Sequence, residues 1–170
     1  MNFKELVTSR YSVRSFASVP VPAEKLQAVL EAARLAPTAC NLQPQRIFVL
    51  QSTEALTKVR ACTSCHFDAP VVLLVCYDKA ESWERGFDGF NSGEMDASIV
   101  GTHLMLAATA QGLGSTWVCY FDPAKLRKEF ALPENLVPAA LFPLGVPASD
   151  SKPNPNHFNR KKLEETVSWL

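Results

Sequence analysis

Two arginines and a serine alternate near the start of the chain, in the segment SRYSVRSF. One residue separates Arg10 from Ser12 and Ser12 from Arg14, so in an extended segment the three side chains would project to the same side. Guanidinium groups bind phosphate through charge-assisted hydrogen bonds, and a hydroxyl between them can bond a remaining oxygen. The spacing therefore predicts an anion cradle, although an exposed basic loop would show the same pattern.

A second basic group, NRKK, lies at 159–162. If the two ends of the chain meet in the fold, Arg160 would complete the cradle. The proposed ligand is then an anion held by guanidinium groups that come from opposite ends of the sequence.

The segment APTACNLQPQ (36–45) combines small residues, two prolines and several amide side chains. An amide can donate and accept hydrogen bonds at once, so Asn41 and Gln43 are candidates for ligand contacts. A solvated loop between two elements of secondary structure is the alternative interpretation.

The five cysteines favour free thiols in a reducing compartment, because their number is odd and no export signal is present. CTSCH (62–66) has the spacing of c-type haem attachment with His66 as the axial ligand, but that attachment requires export. A zinc site would need further ligands, and no second paired spacing supplies them. A redox dithiol is a further alternative, and ordinary thiols are the favoured interpretation.

Composition indicates one domain over 1–170, because 47% hydrophobic and 20% charged residues suit a compact core. Seventeen basic and seventeen acidic residues cancel, so nucleic acid and anionic membranes are not expected partners. The N-terminal MNFKELVTSR lacks the apolar core of a signal peptide, and the apolar stretches are too short to span a bilayer. We expect a cytoplasmic protein.

The sequence predicts helices that would position these candidate residues. PAEKLQAVLEAARLAP (22–37) carries apolar residues at i, i+3, i+4 and i+7, with prolines at both ends. Residues 94–111 are apolar around most of the helical circumference, which predicts a central, mostly buried helix that stops at the following GLG. Asp122 and Pro123 predict the N-cap and first turn of another helix.

Four apolar runs predict strands: RIFVLQ, APVVLLVCYD, STWVC and PAALFPLGV. The second is apolar on both faces, as an interior strand would be. The predicted order is helix, helix, strand, helix, strand, long helix, strand, helix, strand, which indicates an α+β sandwich. No GxGxxG follows a strand, so a dinucleotide-binding Rossmann fold is not indicated.

Four segments together resemble the nitroreductase family of flavoproteins: SRYSVRSF, AARLAPTACNLQPQRIFVL, GLGSTWVCYFDP and NRKKLEETV. They occur in the order and spacing of that family, and the resemblance covers nearly the whole chain. It implies an α+β sandwich with helices packed on a mixed β-sheet. It also implies an intertwined homodimer with one FMN in each of two clefts at the interface.

The resemblance implies that the cradle residues bind FMN. Arg10, Ser12 and Arg160 match residues that hold the phosphate and its neighbourhood, and Arg14 matches a basic residue that faces the ribityl and pyrimidine side. A cation there stabilises the negative charge of the reduced flavin.

Two further segments match flavin contacts of the family. The loop that reaches the flavin from the partner subunit corresponds to Pro37, Thr38, Ala39 and Asn41, with Gln43 as an additional candidate. The segment beside the ring, where backbone N–H groups contact N5 and O4, corresponds to Trp117, Val118, Cys119 and Tyr120. Many members carry an acidic residue and a glycine where this chain has the cysteine and the tyrosine.

The activity implied by the resemblance is a ping-pong oxidoreduction. NADH or NADPH gives hydride to flavin N5, and a nitroaromatic, quinone or similar small acceptor then receives the electrons. The cofactor carries the chemistry, so we name no catalytic acid or base and no metal ligand. The alternatives are a narrow-substrate relative that fragments flavin or dehalogenates, and a flavin or tetrapyrrole carrier without turnover.

Overall fold

A computed structural model describes residues 2–170 of the chain. The helices are α1 (Phe3–Ser9), α2 (Ala23–Arg34), α3 (Thr53–Cys62), α4 (Gly93–Ala110) and α5 (Pro123–Glu129). The strands are β1 (Gln45–Leu50), β2 (Val71–Asp78), β3 (Gly114–Ser115) and β4 (Leu136–Gly145). The predicted order of helices and strands along the chain is confirmed.

The sheet has the strand order β1-β2-β4-β3, and each pair of neighbouring strands is antiparallel. Within residues 2–170, the parallel pairing is confined to an isolated bridge between Ser12 and Ser115. The predicted α+β fold is therefore confirmed, and a single bridge is what makes the sheet mixed.

Helices cover both faces of the sheet. Along β2, side chains alternate between the faces, so Leu73 joins the core with α2 and α4, and Leu74 joins the core with α3 and α5. Both leucines are fully buried. This two-sided burial explains why the sequence of β2 is continuously apolar.

The long helix α4 buries one face and exposes another, so the prediction that it is mostly buried was too broad. Met95 and Ile99 are exposed. At Gly101, a Cβ would lie 2.7 Å from Phe142 Cζ and 2.8 Å from Trp117 Cζ3, so the missing side chain lets α4 approach these rings. Neither α4 nor any other helix of the described chain has the length and hydropathy needed to cross a membrane.

Strand β3 is shorter than the predicted strand STWVC. After Ser115, the Thr116 N–H donates to Pro143 O at 3.3 Å, but a proline has no N–H with which to donate in return. Val118 then rejoins the sheet through an isolated bridge to Leu141. The chain leaves the sheet immediately after Val118.

Candidate functional site

The two ends of the described chain meet at a cavity of about 370 Å³. Arg10, Ser12 and Arg14 line it from the N-terminal segment, and Arg160 lines it from the C-terminal segment. The structure therefore places the residues of the predicted cradle around one cavity. The remaining lining residues are Asn154, Asn156 and His157.

Pairing with β3 fixes the direction of the cradle side chains. Helix α1 ends before Arg10, whose backbone is extended. Val13 is buried, donates its N–H to Ser115 O at 3.0 Å and packs against Gly114. Because side chains alternate along an extended segment, the inward direction of Val13 turns its neighbours Ser12 and Arg14 outward.

Positive charge accumulates in this anion cavity without a neutralising carboxylate. Burial and the neighbouring Arg160 guanidinium lower the pKa of Arg10. Among residues 2–170, Arg10, Arg14 and Arg160 form no ion pair. Within the described chain, the Arg14 side chain donates to Ser12 O and the Arg160 side chain donates to Asn159 O, both nearby backbone oxygens. An anion would relieve this repulsion.

The loop Pro37–Gln43 connects α2 to β1 through an unusual backbone. Cys40, Asn41 and Gln43 have φ values of 49°, 55° and 54°, and each such residue costs about 1 kcal/mol or more. The Gln43 N–H donates to Thr38 Oγ1 at 3.0 Å, and the Gln43 side chain donates to Asn41 O at 3.1 Å. These bonds hold the strained loop in one shape.

A buried carboxylate that the sequence analysis did not single out anchors this loop. Asp96, on the first turn of α4, is only 2% exposed. It accepts the Ala39 N–H at 2.8 Å and the Ser92 hydroxyl at 2.7 Å. The signal available in the sequence was an acidic residue inside a long apolar helix.

The segment Trp117–Tyr120 leaves the sheet with free backbone donors. Both backbone groups of Val118 are bonded to Leu141, at 2.9 and 3.0 Å, so the Val118 N–H is not available to a ligand. Within residues 2–170, the N–H groups of Cys119 and Tyr120 donate to no acceptor. Both residues are exposed, so these two adjacent donors can bond a ligand edge.

Trp117 packs in the core and also contacts the exposed part of this segment. Its ring packs edge-on against Phe142, with 4.8 Å between centroids. Its indole N–H donates to Cys119 Sγ at 3.1 Å. The indole therefore restrains the cysteine side chain next to the free donors.

The structure places CTSCH beside the segment Trp117–Tyr120, which the sequence analysis treated separately. Residues of 60–66 and 119–122 line a cavity of about 720 Å³. All five cysteines are free thiols. Within the part of the chain that the structure describes, no three His, Cys, Asp or Glu side chains cluster as a metal site would require. His66 Nδ1 instead accepts the Asp68 N–H at 3.1 Å.

The predicted site residues therefore fall into separate groups. Neither the loop Pro37–Gln43 nor the segment Trp117–Tyr120 lines the anion cavity. Within a single chain, one cavity is lined by Arg10, Ser12, Arg14 and Arg160. The other predicted contact residues lie outside that cavity.

The fold is an α+β sandwich with an arginine-lined cavity where the N-terminal and C-terminal segments meet. The model of the Nitroreductase family matches residues 7–67 and 61–146. A relative from Methanothermobacter thermautotrophicus, provisionally named NADH dehydrogenase/NAD(P)H nitroreductase, is 31% identical, over 88% of this chain and 80% of its own. The chain belongs to the nitroreductase family.

Solved structures agree with this assignment. The crystal structure of a nitroreductase family protein from Clostridium difficile is 44% identical, with a TM-score of 0.94 over 99% of this chain and 98% of that one. A provisionally named nitroreductase from Exiguobacterium sibiricum, crystallised in complex with FMN, has a TM-score of 0.84 over 100% of this chain and 98% of its own. At 20% identity, the second likeness shows the fold alone.

Replacing Asp96 should loosen the loop Pro37–Gln43. We expect Asp96→Ala to lower the free energy of unfolding by about 2 to 3 kcal/mol, because the Ala39 N–H loses a charged acceptor. Asp96→Asn keeps one acceptor oxygen and should cost less. Urea unfolding measures the loss, and hydrogen exchange at the Ala39 amide localises it. The control is Glu94→Ala, an exposed acid on the same turn; equal destabilisation by Glu94→Ala and Asp96→Ala would contradict the anchoring role.

Proposed function

We propose that the chain is an FMN-dependent oxidoreductase. It takes hydride from NADH or NADPH and passes electrons to a nitroaromatic, quinone or similar small acceptor by a ping-pong mechanism. Membership of the nitroreductase family and the FMN complex of the Exiguobacterium sibiricum protein support this function. The observation that carries it is the meeting of Arg10, Ser12, Arg14 and Arg160 at one cavity.

The anion cavity fits the phosphate of FMN. A phosphate monoester carries nearly two negative charges at neutral pH, and it would offset the burial and the Arg160 repulsion that together lower the pKa of Arg10. Arg10 and Arg160 hold the phosphate oxygens, and the Ser12 hydroxyl bonds a remaining one. Arg14, which lines the same cavity, faces the ribityl and pyrimidine side.

The segment Trp117–Tyr120 serves the ring of the flavin. FMN, when bound, supplies the hydride and electron transfer chemistry. The free N–H groups of Cys119 and Tyr120 orient the ring by donating to its N5 and O4 edge. Val118 contributes by anchoring the segment to the sheet, and Trp117 packs beside it. No side chain of this segment is required as an acid or base.

We propose that the functional unit is an intertwined homodimer in which the loop Pro37–Gln43 serves the partner's flavin. The loop is rigid but does not line the anion cavity of its own chain, and Thr38, Ala39 and Asn41 present small or amide groups for a flat ring. Large apolar side chains that are exposed in the single chain would also be buried at a dimer interface. They include Phe3, Val7, Met95, Ile99, Leu163, Val167 and Trp169.

The cytoplasm is the proposed location, because the five cysteines are free thiols. Thiols persist in reducing compartments, whereas exported proteins tend to pair them. Neither nucleic acid nor a membrane is a proposed partner, since the chain carries equal numbers of acidic and basic residues.

Colour and turnover test the proposed function directly. Protein reconstituted with FMN should be yellow, NADH or NADPH should bleach it without oxygen, and a nitroaromatic or quinone should restore the colour over repeated cycles. Stopped-flow absorbance should separate the two half-reactions. Bound FMN that neither nucleotide reduces would identify a carrier, and a failure to bind FMN would overturn the proposal.

Arg10→Ala should weaken FMN binding more than Arg14→Ala. Arg10 is half-buried beside Arg160, whereas Arg14 is exposed. A lost charged hydrogen bond costs roughly 1.5 to 3 kcal/mol, so affinity should fall by about ten- to a hundredfold. Fluorescence titration measures the affinity, and riboflavin, which lacks the phosphate, should bind both proteins alike. Arg34→Ala, an exposed arginine paired with Glu31, is the control; equal losses at Arg10 and Arg14 would contradict the assigned roles.

Mixing two damaged proteins should restore activity if the site is composite. Arg10→Ala and Asn41→Ala would damage different halves of each site. After subunit exchange at equal concentrations, random pairing makes half of the dimers mixed with one intact site each, so about a quarter of full activity should return. Native mass spectrometry verifies the exchange. Mixed dimers without recovered activity would show that both residues serve the same subunit's flavin.

A further inference from the structure

Thr63 is a buried polar residue in the segment CTSCH, and the proposed function leaves it without a role. Its side chain lies just beyond the end of α3 and is 6% exposed. The hydroxyl donates to Tyr120 O at 2.5 Å and accepts the Cys65 N–H at 3.0 Å. The Thr63 hydroxyl therefore both donates and accepts, and its acceptor, Tyr120 O, belongs to the segment with the free backbone donors.

The stretch from Val118 to Asp122 is held at three points. The sheet fixes Val118, and the Asp122 N–H donates to Cys62 O at 2.9 Å. Between these ends, Thr63 holds the carbonyl of Tyr120. The Thr63 bond is the one that holds the Tyr120 carbonyl.

The bond to Thr63 also bears on the direction of the free N–H groups. The Phe121 N–H donates to Cys119 O at 3.1 Å, which forms a tight turn centred on Tyr120. Because a peptide unit is planar and trans, a fixed Cys119 carbonyl fixes the Tyr120 N–H on its opposite side. Thr63 secures the next peptide unit, so the turn cannot rotate freely.

We propose that Thr63 is the positioning residue of the flavin edge. It holds the turn at Tyr120 so that the N–H groups of Cys119 and Tyr120 remain aimed at N5 and O4 of the oxidised ring. This inference rests on the proposed function, because it requires FMN at that segment. It gives CTSCH a role that depends on its threonine rather than on its cysteines.

A positioned donor to N5 favours the oxidised flavin. Oxidised N5 is a hydrogen-bond acceptor, whereas reduction places a proton on N5 and removes its ability to accept the backbone N–H. A fixed donor to N5 therefore binds the oxidised ring more strongly than the reduced ring. Loosening this donor should weaken the binding of oxidised FMN more and raise the midpoint potential.

The test compares Thr63→Val with Thr63→Ser. Valine keeps the shape but lacks the hydroxyl, and serine keeps the hydroxyl, so serine should restore the wild-type behaviour. Thr57→Val is the matched control, because Thr57 lies on α3 and its hydroxyl donates only to Thr53 O, at 2.8 Å. For Thr63→Val we expect about a tenfold change in the ratio of the oxidised and reduced FMN affinities, which is roughly +30 mV for two electrons.

Two measurements keep this inference separate from the proposed function. Dye-equilibrated spectrophotometry gives the midpoint potential of each FMN-loaded protein. Hydrogen exchange at the Phe121 amide, measured without FMN, reports the turn alone and should speed up only in Thr63→Val. Unchanged exchange at the Phe121 amide would overturn the positioning role. Faster exchange with an unchanged midpoint potential would show that Thr63 has only a structural role. A wild-type protein that binds no FMN would overturn the proposed function and, with it, the role of Thr63 at the flavin.

Discussion

The burial of β2 on both faces is the constraint on which the rest of the structure depends. Its side chains from Val71 to Cys76 are buried, and each large one contributes roughly 1.5 to 3 kcal/mol when removed from water. Both faces must therefore be covered, by α2 and α4 on one side and by α3 and α5 on the other. The candidate site residues lie at the margins of the sheet, where β3 pairs with the N-terminal segment and the chain leaves the sheet after Val118.

Local signals predicted much of this architecture. Periodicity and caps are properties of short segments, so the order of elements and the Asp122 cap could be predicted, and Asp122 does accept the Lys125 N–H at 2.9 Å. The alternation of Arg10, Ser12 and Arg14 likewise depends only on extended backbone. The predicted length of β3 failed because it depended on a distant residue, Pro143, which faces Thr116 and cannot donate.

The remaining parts of the candidate site could not be predicted, because they depend on contacts between distant segments. Asp96 and Ala39 are 57 residues apart, as are Thr63 and Tyr120. No periodicity or spacing joins such pairs. A buried acid in an apolar helix and a threonine between two cysteines were visible in the sequence, but only the fold shows which peptide groups they hold.

The anion cavity also has a consequence for biosynthesis. Arg10 and Arg160 line the same cavity, yet translation makes Arg10 long before Arg160. A nascent chain that has reached the end of β2 carries Arg10, Ser12 and Arg14 but still lacks Arg160. The cavity is therefore complete only after the segment that carries Arg160 has been made, and a chain truncated before that segment would lack the C-terminal part of the lining.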